Sequence, residues 1–100
     1  MRFVVITRLM SVVPPEQLPS IMERFAEWRE QCRESTESFE FFAYGSGGFM
    51  VVAVPDEVEL NQMMAEYPLI PYLEMDVRPI IDGDTALDQW WQVMRSMLGD

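Results

Sequence analysis

Apolar side chains change their spacing from one segment of this chain to the next, and each spacing predicts an element. Residues 2–9 (RFVVITRL) are short and rich in β-branched types, which predicts a strand. Over residues 14–34 the period lengthens. Leu18, Ile21, Met22, Phe25, Trp28 and Cys32 recur three and four apart, with Glu23, Glu27, Glu30 and Glu34 off the stripe. This predicts a helix of about five turns. Pro14, Pro15 and Pro19 sit before or within its first turn, where backbone N–H groups have no intrahelical acceptor.

Residues 39–44 (FEFFAY) and 48–54 (GFMVVAV) flank Gly45-Ser46-Gly47-Gly48, which predicts a hairpin. Asp56 with Glu59 resembles a capping box and opens a helix over about 56–66, closed by Pro68. In residues 72–80, Leu73, Met75 and Val77 alternate with Glu74, Asp76 and Arg78, which predicts a last strand. After the turn Asp82-Gly83-Asp84, Thr85 to Asp88 is read as the capping box of a third helix carrying Leu87, Trp90, Trp91, Met94 and Leu98. The order βαββαβ predicts a ferredoxin-like α+β fold: two helices on one face of a four-stranded antiparallel sheet, plus a C-terminal helix. Residues 1–82 are expected to form that domain and 83–100 a helical extension.

Strand one carries an expectation about the other sheet face. Phe3, Val5 and Leu9 can face the helices, so Val4 and Ile6 point away, flanked by Arg2 and Arg8. The hairpin strands are apolar on both faces too. A four-stranded face of this kind measures on the order of 400 Å², enough to require a cover. The C-terminal helix folding back and a second copy packing sheet to sheet are the two candidates.

Charge and composition narrow the chemistry. Seven arginines and no lysine stand against 17 acids in 100 residues, a net charge of −10, which disfavours nucleic acid as a partner. Without lysine or histidine, Schiff-base lysines, P-loops, histidine triads and imidazole metal sites are excluded. Cys32, the only cysteine, cannot form an intrachain disulfide, which fits a cytoplasmic protein. The apolar start Met1 to Ile6 is broken by Thr7 and Arg8 before Pro14-Pro15, unlike a signal peptide, and no apolar run approaches the ~20 residues of a membrane helix.

Two blocks carry a family resemblance. Pro14-Pro15-Glu16-x-x-Pro19-x-x-x-Glu23-Arg24 is similar to the start of helix one in muconolactone Δ-isomerases, and so is Val54-Pro55, Leu60, then Pro68-Leu69-Ile70-Pro71-Tyr72 leading into an acidic alternating strand. The resemblance covers about residues 1–82. It implies a dimeric α+β barrel that assembles further, and a proton shift in a small unsaturated lactone without metal or organic cofactor. Related chains in secondary metabolism are cyclases or cofactor-free monooxygenases. The family tends to carry ionisable residues on the barrel face of strand one, where this chain has Val4 and Ile6.

Glu74 and Asp76, with Tyr72, are the expected catalytic residues, and Arg8, Arg78, Val4, Ile6 and Tyr44 the expected substrate-binding ones. On one strand face the two carboxylates lie ~7 Å apart, repelling by about 2.4 kcal/mol at an effective dielectric of ~20, which favours a proton held at one of them. The plain alternative is that these charges protect an edge strand, with Arg8 simply paired to Glu74 or Asp76. Gly45 to Gly48 reads as a turn, Cys32, Met63, Met64 and Trp28 as core, and one of Trp90 and Trp91 as meeting a partner chain or capping the cavity. The expected function is a cofactor-independent isomerase or cyclase on a small apolar carbonyl compound. The rivals are a cofactor-free monooxygenase and a non-catalytic ligand-binding or assembly protein.

Overall fold

A computed structural model describes residues 1–99. The elements are β1 (Arg2–Leu9), α1 (Leu18–Gln31), β2 (Thr36–Phe41), β3 (Gly48–Ala53), α2 (Glu57–Ala65), β4 (Leu73–Ile80) and α3 (Gly83–Met97). All strand pairs are antiparallel and the sheet order is β2-β3-β1-β4. This is the ferredoxin-like α+β fold.

Several boundaries move from their expected places for local reasons. The prolines hold Pro15–Gln17 as a single 3-10 turn, so α1 proper begins at Leu18 with Pro19 in its first turn. β2 starts at Thr36, ahead of the expected position, because Thr36 Oγ1 donates to the Cys32 carbonyl at 2.7 Å and Ala53 N to the Ser35 carbonyl at 2.8 Å. A second 3-10 turn, Ile70–Tyr72, takes Tyr72 out of the last strand. Asp56 caps α2 as expected, its Oδ1 accepting from Glu59 N at 2.9 Å. The cap of α3 is Asp82 rather than Thr85. Its carboxylate accepts from both Thr85 N (3.1 Å) and Thr85 Oγ1 (3.2 Å), a stronger arrangement than a hydroxyl cap.

The core lies between the helices and the inner sheet face, where alternation sends Phe3 and Val5 from β1 and Met50 and Val52 from β3. Trp28 is 2% exposed and donates its indole N–H to the Met63 carbonyl at 3.0 Å, linking α1 to α2. Its ring meets Tyr67 edge-on at 4.7 Å. Arg29 lies 4.7 Å over Phe39, a cation–π contact across α1 and β2.

Burial pushes the Tyr67 phenol up to about 12 from an ordinary 10.0, and also raises the Cys32 thiol. The folded chain therefore holds the Tyr67 proton more tightly than the unfolded chain does. Its contribution to stability is complete below pH 10 and is lost as pH climbs from 10 toward 12. Urea titrations across that window should show a falling midpoint, and Tyr67→Phe should flatten it. An unchanged slope in Tyr67→Phe would assign the alkaline loss elsewhere.

Candidate functional site: the open sheet face

The outer sheet face is built by the second half of each strand's alternation. Register places Val4 opposite Val51 and Arg78, and Ile6 opposite Phe49 and Asp76. The centre is therefore apolar: Val4, Ile6, Phe49 and Val51. Charges flank it along β4, where Glu74, Asp76 and Arg78 follow one another on the same face. On the other flank β2 contributes Ser38 and Glu40. Ile6 is 37% exposed, and none of the helices covers it.

The charges on this face are matched. Arg8 stands directly across from Glu74, and its Nη2 donates to Glu74 Oε2 at 2.8 Å. Arg78 reaches along its own strand to Asp76, with Nη2 to Oδ2 at 3.0 Å and Nε to Oδ2 at 3.1 Å. Each carboxylate thus has its own guanidinium, so the Glu74–Asp76 repulsion expected from the strand alone is not the leading interaction. In the single chain both pairs remain more than half exposed on most partners. Such pairs contribute little in water and more in an enclosed, less polar space. A third pair, Arg2 with Glu37 at 2.8 Å, closes the far end of the face and holds the Glu37 carboxyl below its ordinary value. The irregularity between Thr36 and Ser38 in the β2–β3 register accompanies it.

The glycine-rich turn fixes the Arg8 end. Gly47 has φ +100°, and a Cβ there would lie 2.0 Å from the Thr7 carbonyl oxygen and 3.0 Å from the Arg8 Cα. Only glycine lets the turn pass this close to β1. Gly47→Ala is expected to destabilise the chain by about 1–3 kcal/mol from backbone conformation alone, with the clash added. Thermal melting checks this, and a melting point unchanged by the substitution would contradict the close approach.

The other expected site residues are placed differently. Tyr72 lies in the turn before β4, its hydroxyl donating to Gln17 Oε1 at 2.7 Å and its carbonyl accepting from Met10 N at 2.8 Å. It is thus tied to the turn before α1. Tyr44, in the β2–β3 connection, is 94% exposed. Cys32 is buried, with a thiol raised by burial, consistent with a packing role. Phe49 and Val51 are the site residues that sequence reasoning did not single out, although the alternation in GFMVVA marks them. Among the described residues no group of three or more Cys, Asp or Glu is arranged to hold a metal ion. None of the helices described is long and apolar enough to cross a membrane.

A family model described as a domain of unknown function, DUF3303, matches residues 1–94. The chain belongs to the DUF3303 family. A comparison with curated proteins finds no match. Among solved structures, the DUF3303 chain is similar to muconolactone isomerase, with a TM-score of 0.72 and 21% identity, covering 82% of this chain and 90% of that one. It is also similar to 5-chloro-2-hydroxyhydroquinone dehydrochlorinase from Burkholderia phenoliruptrix AC1100, solved in complex with 2,5-dihydroxybenzoquinone, with a TM-score of 0.61 and 13% identity over 85% of this chain and 98% of that one. The likeness of this DUF3303 chain to muconolactone isomerase, first visible in its proline-rich blocks, thus holds for the fold.

Proposed function

We propose that this DUF3303 chain is a cofactor-independent isomerase or cyclase, working in a chamber formed when the open sheet faces of two copies pack together. The observation that carries the reading is the apolar field of Val4, Ile6, Phe49 and Val51 bordered by the Arg8–Glu74 and Arg78–Asp76 pairs. Such a surface suits a small, flat, apolar molecule with a carbonyl or acidic oxygen at one end. An incoming enolisable carbonyl competes with a carboxylate for its arginine. The released Glu74 or Asp76 takes a proton from the carbon beyond the conjugated double bond and returns one at the carbon next to the carbonyl, which shifts the double bond, while Arg8 or Arg78 neutralises the dienolate oxygen in between. Tyr72, once freed from Gln17, can orient the substrate. Residues 1–82 would form the barrel unit and 83–100 an extension, in a cytoplasmic homodimer or larger assembly.

The two structural relatives suggest probes: muconolactone, and 2,5-dihydroxybenzoquinone as an acidic ligand. Incubated in heavy water with the protein, muconolactone should take up deuterium next to its carbonyl. Glu74→Gln should slow that uptake by about 10²–10⁴-fold while leaving the melting curve in place. Uptake that survives in both Glu74→Gln and Asp76→Asn would remove these carboxylates from the mechanism.

A second reading, a ligand-binding protein without turnover, is favoured by one observation. Val4 and Ile6 offer no ionisable group on β1, and both β4 carboxylates are engaged by arginines. It predicts a raised melting point with 2,5-dihydroxybenzoquinone, no deuterium uptake, and binding unaltered by Glu74→Gln.

A further inference from the structure

Among the described residues, no other element covers the helix α3. Every residue from Leu87 to Gly99 is exposed, and the molecule is 66 Å long with a radius of gyration of 17.7 Å, against about 13 Å for a compact chain of this length. Yet α3 is strongly two-sided. At 100° per residue, Trp90, Trp91, Val93, Met94, Met97 and Leu98 fall on one continuous arc with Ala86 and Leu87, and Asp88, Gln89, Gln92, Arg95 and Ser96 on the other. Trp90 and Trp91 therefore share one wide apolar face. The Asp82 cap sets the direction in which the helix leaves β4.

An unfilled apolar groove of about 550 Å³ lies on the helix side of the sheet, opposite the proposed chamber. α2 forms its wall with Leu60, Asn61, Met64 and Ala65, and β4 its floor with Met75, Val77 and Pro79. From Glu57 to Ala65 the α2 lining of the groove runs about 12 Å, the same rise as the α3 segment from Trp90 to Leu98. Glu57 lies at the groove's rim, and Arg95, beside Trp91 and Leu98 on the arc's border, is the only cation of α3. The surface area also requires a partner. A compact chain of 11.7 kDa exposes about 5,900 Å². This one exposes 7369 Å². The excess of about 1,500 Å² exceeds the ~800 Å² per partner of a stable interface.

We propose that α3 is an exchanged arm, and that its tryptophan-bearing face seats in the α2–β4 groove of a second copy of this chain, with Arg95 against the partner's acidic rim. The seat is independent of the sheet-to-sheet chamber, because groove and chamber lie on opposite sides of the sheet.

Cross-linking tests this on the full chain in a Cys32→Ala background. One preparation carries Asn61→Cys, a second Met94→Cys, and a third both. Asn61 lies on the groove wall and Met94 is 50% exposed, so both replacements should leave the circular dichroism unchanged. With a short bis-maleimide, a mixture of the first two should yield a covalent dimer, and either alone at most a trace. A cross-link found only within single chains of the third preparation would overturn the exchange, since the arm would then fold onto its own groove. Absence of any cross-link would overturn it as well. In parallel, Trp90→Ser with Met94→Ser should lower the mass measured by light scattering, and an unchanged mass would count against the arm as a contact.

Discussion

Replacing Trp28 by alanine is expected to remove about 3–5 kcal/mol of folding stability, the largest single loss available in this core. The ring is 2% exposed and touches both helices and the aromatic cluster, with Tyr67 at 4.7 Å and Phe25 at 5.9 Å. Its removal leaves a cavity that α1 and α2 cannot close, because the indole N–H bond to the Met63 carbonyl also joins them. That bond adds about 0.5–1.5 kcal/mol to the loss. Small domains have about 5–15 kcal/mol in total, so the variant should unfold some 15–30 °C earlier. Urea titration at fixed protein concentration should show a lower midpoint with an unchanged slope. A loss below about 1 kcal/mol would mean the helix pair is held elsewhere. Trp28→Phe, which retains most of the volume, should lose less.

The second large effect is on assembly. Val51 sits in the middle of the open face, opposite Ser38 on β2 and Val4 on β1, and Val4 separates it from Arg78, which is already paired with Asp76. In a lone chain a glutamate at this half-buried strand position would still reach water and cost about 1 kcal/mol or less. Where a second copy covers the face, the same carboxylate is taken out of water without a partner, at a cost of several kcal/mol. Val51→Glu is therefore expected to weaken sheet-to-sheet association by at least about a hundredfold, seen as a concentration-dependent fall in sedimentation coefficient. Equal association in Val51→Glu and the parent chain would place the contact on another surface.

The fold was legible in the sequence because one residue type dominates each decision. β-branched runs set β1 and β3, a three-and-four spacing of Ile21, Phe25, Trp28 and Cys32 sets α1, and alternation of Met75 and Val77 with Glu74 and Asp76 sets β4. The side chains of the site were legible as candidates, since alternation alone puts Glu74, Asp76 and Arg78 on one face. Their partners were less so. Arg8 meets Glu74 because of inter-strand register, which depends on the whole sheet, whereas Arg78 takes Asp76 by bending along its own strand. Tyr72 followed the alternation on paper, but the Ile70–Tyr72 turn breaks the period and turns its hydroxyl to Gln17. The α2–β4 groove left no linear signal at all, because it arises from the gap between two elements that pack on the same sheet.

The proposed chamber requires a second copy over the face bearing Ile6. It is tested most directly by the rate at which a bulky maleimide labels Ile6→Cys in a Cys32→Ala chain. Ile6 is 37% exposed in the single chain, so a lone subunit leaves a thiol there open to the reagent. Labelling should slow by at least tenfold at assembling concentrations and be restored when Val51→Glu is added. Rapid labelling at every concentration would show that face standing open to water, and would contradict the chamber.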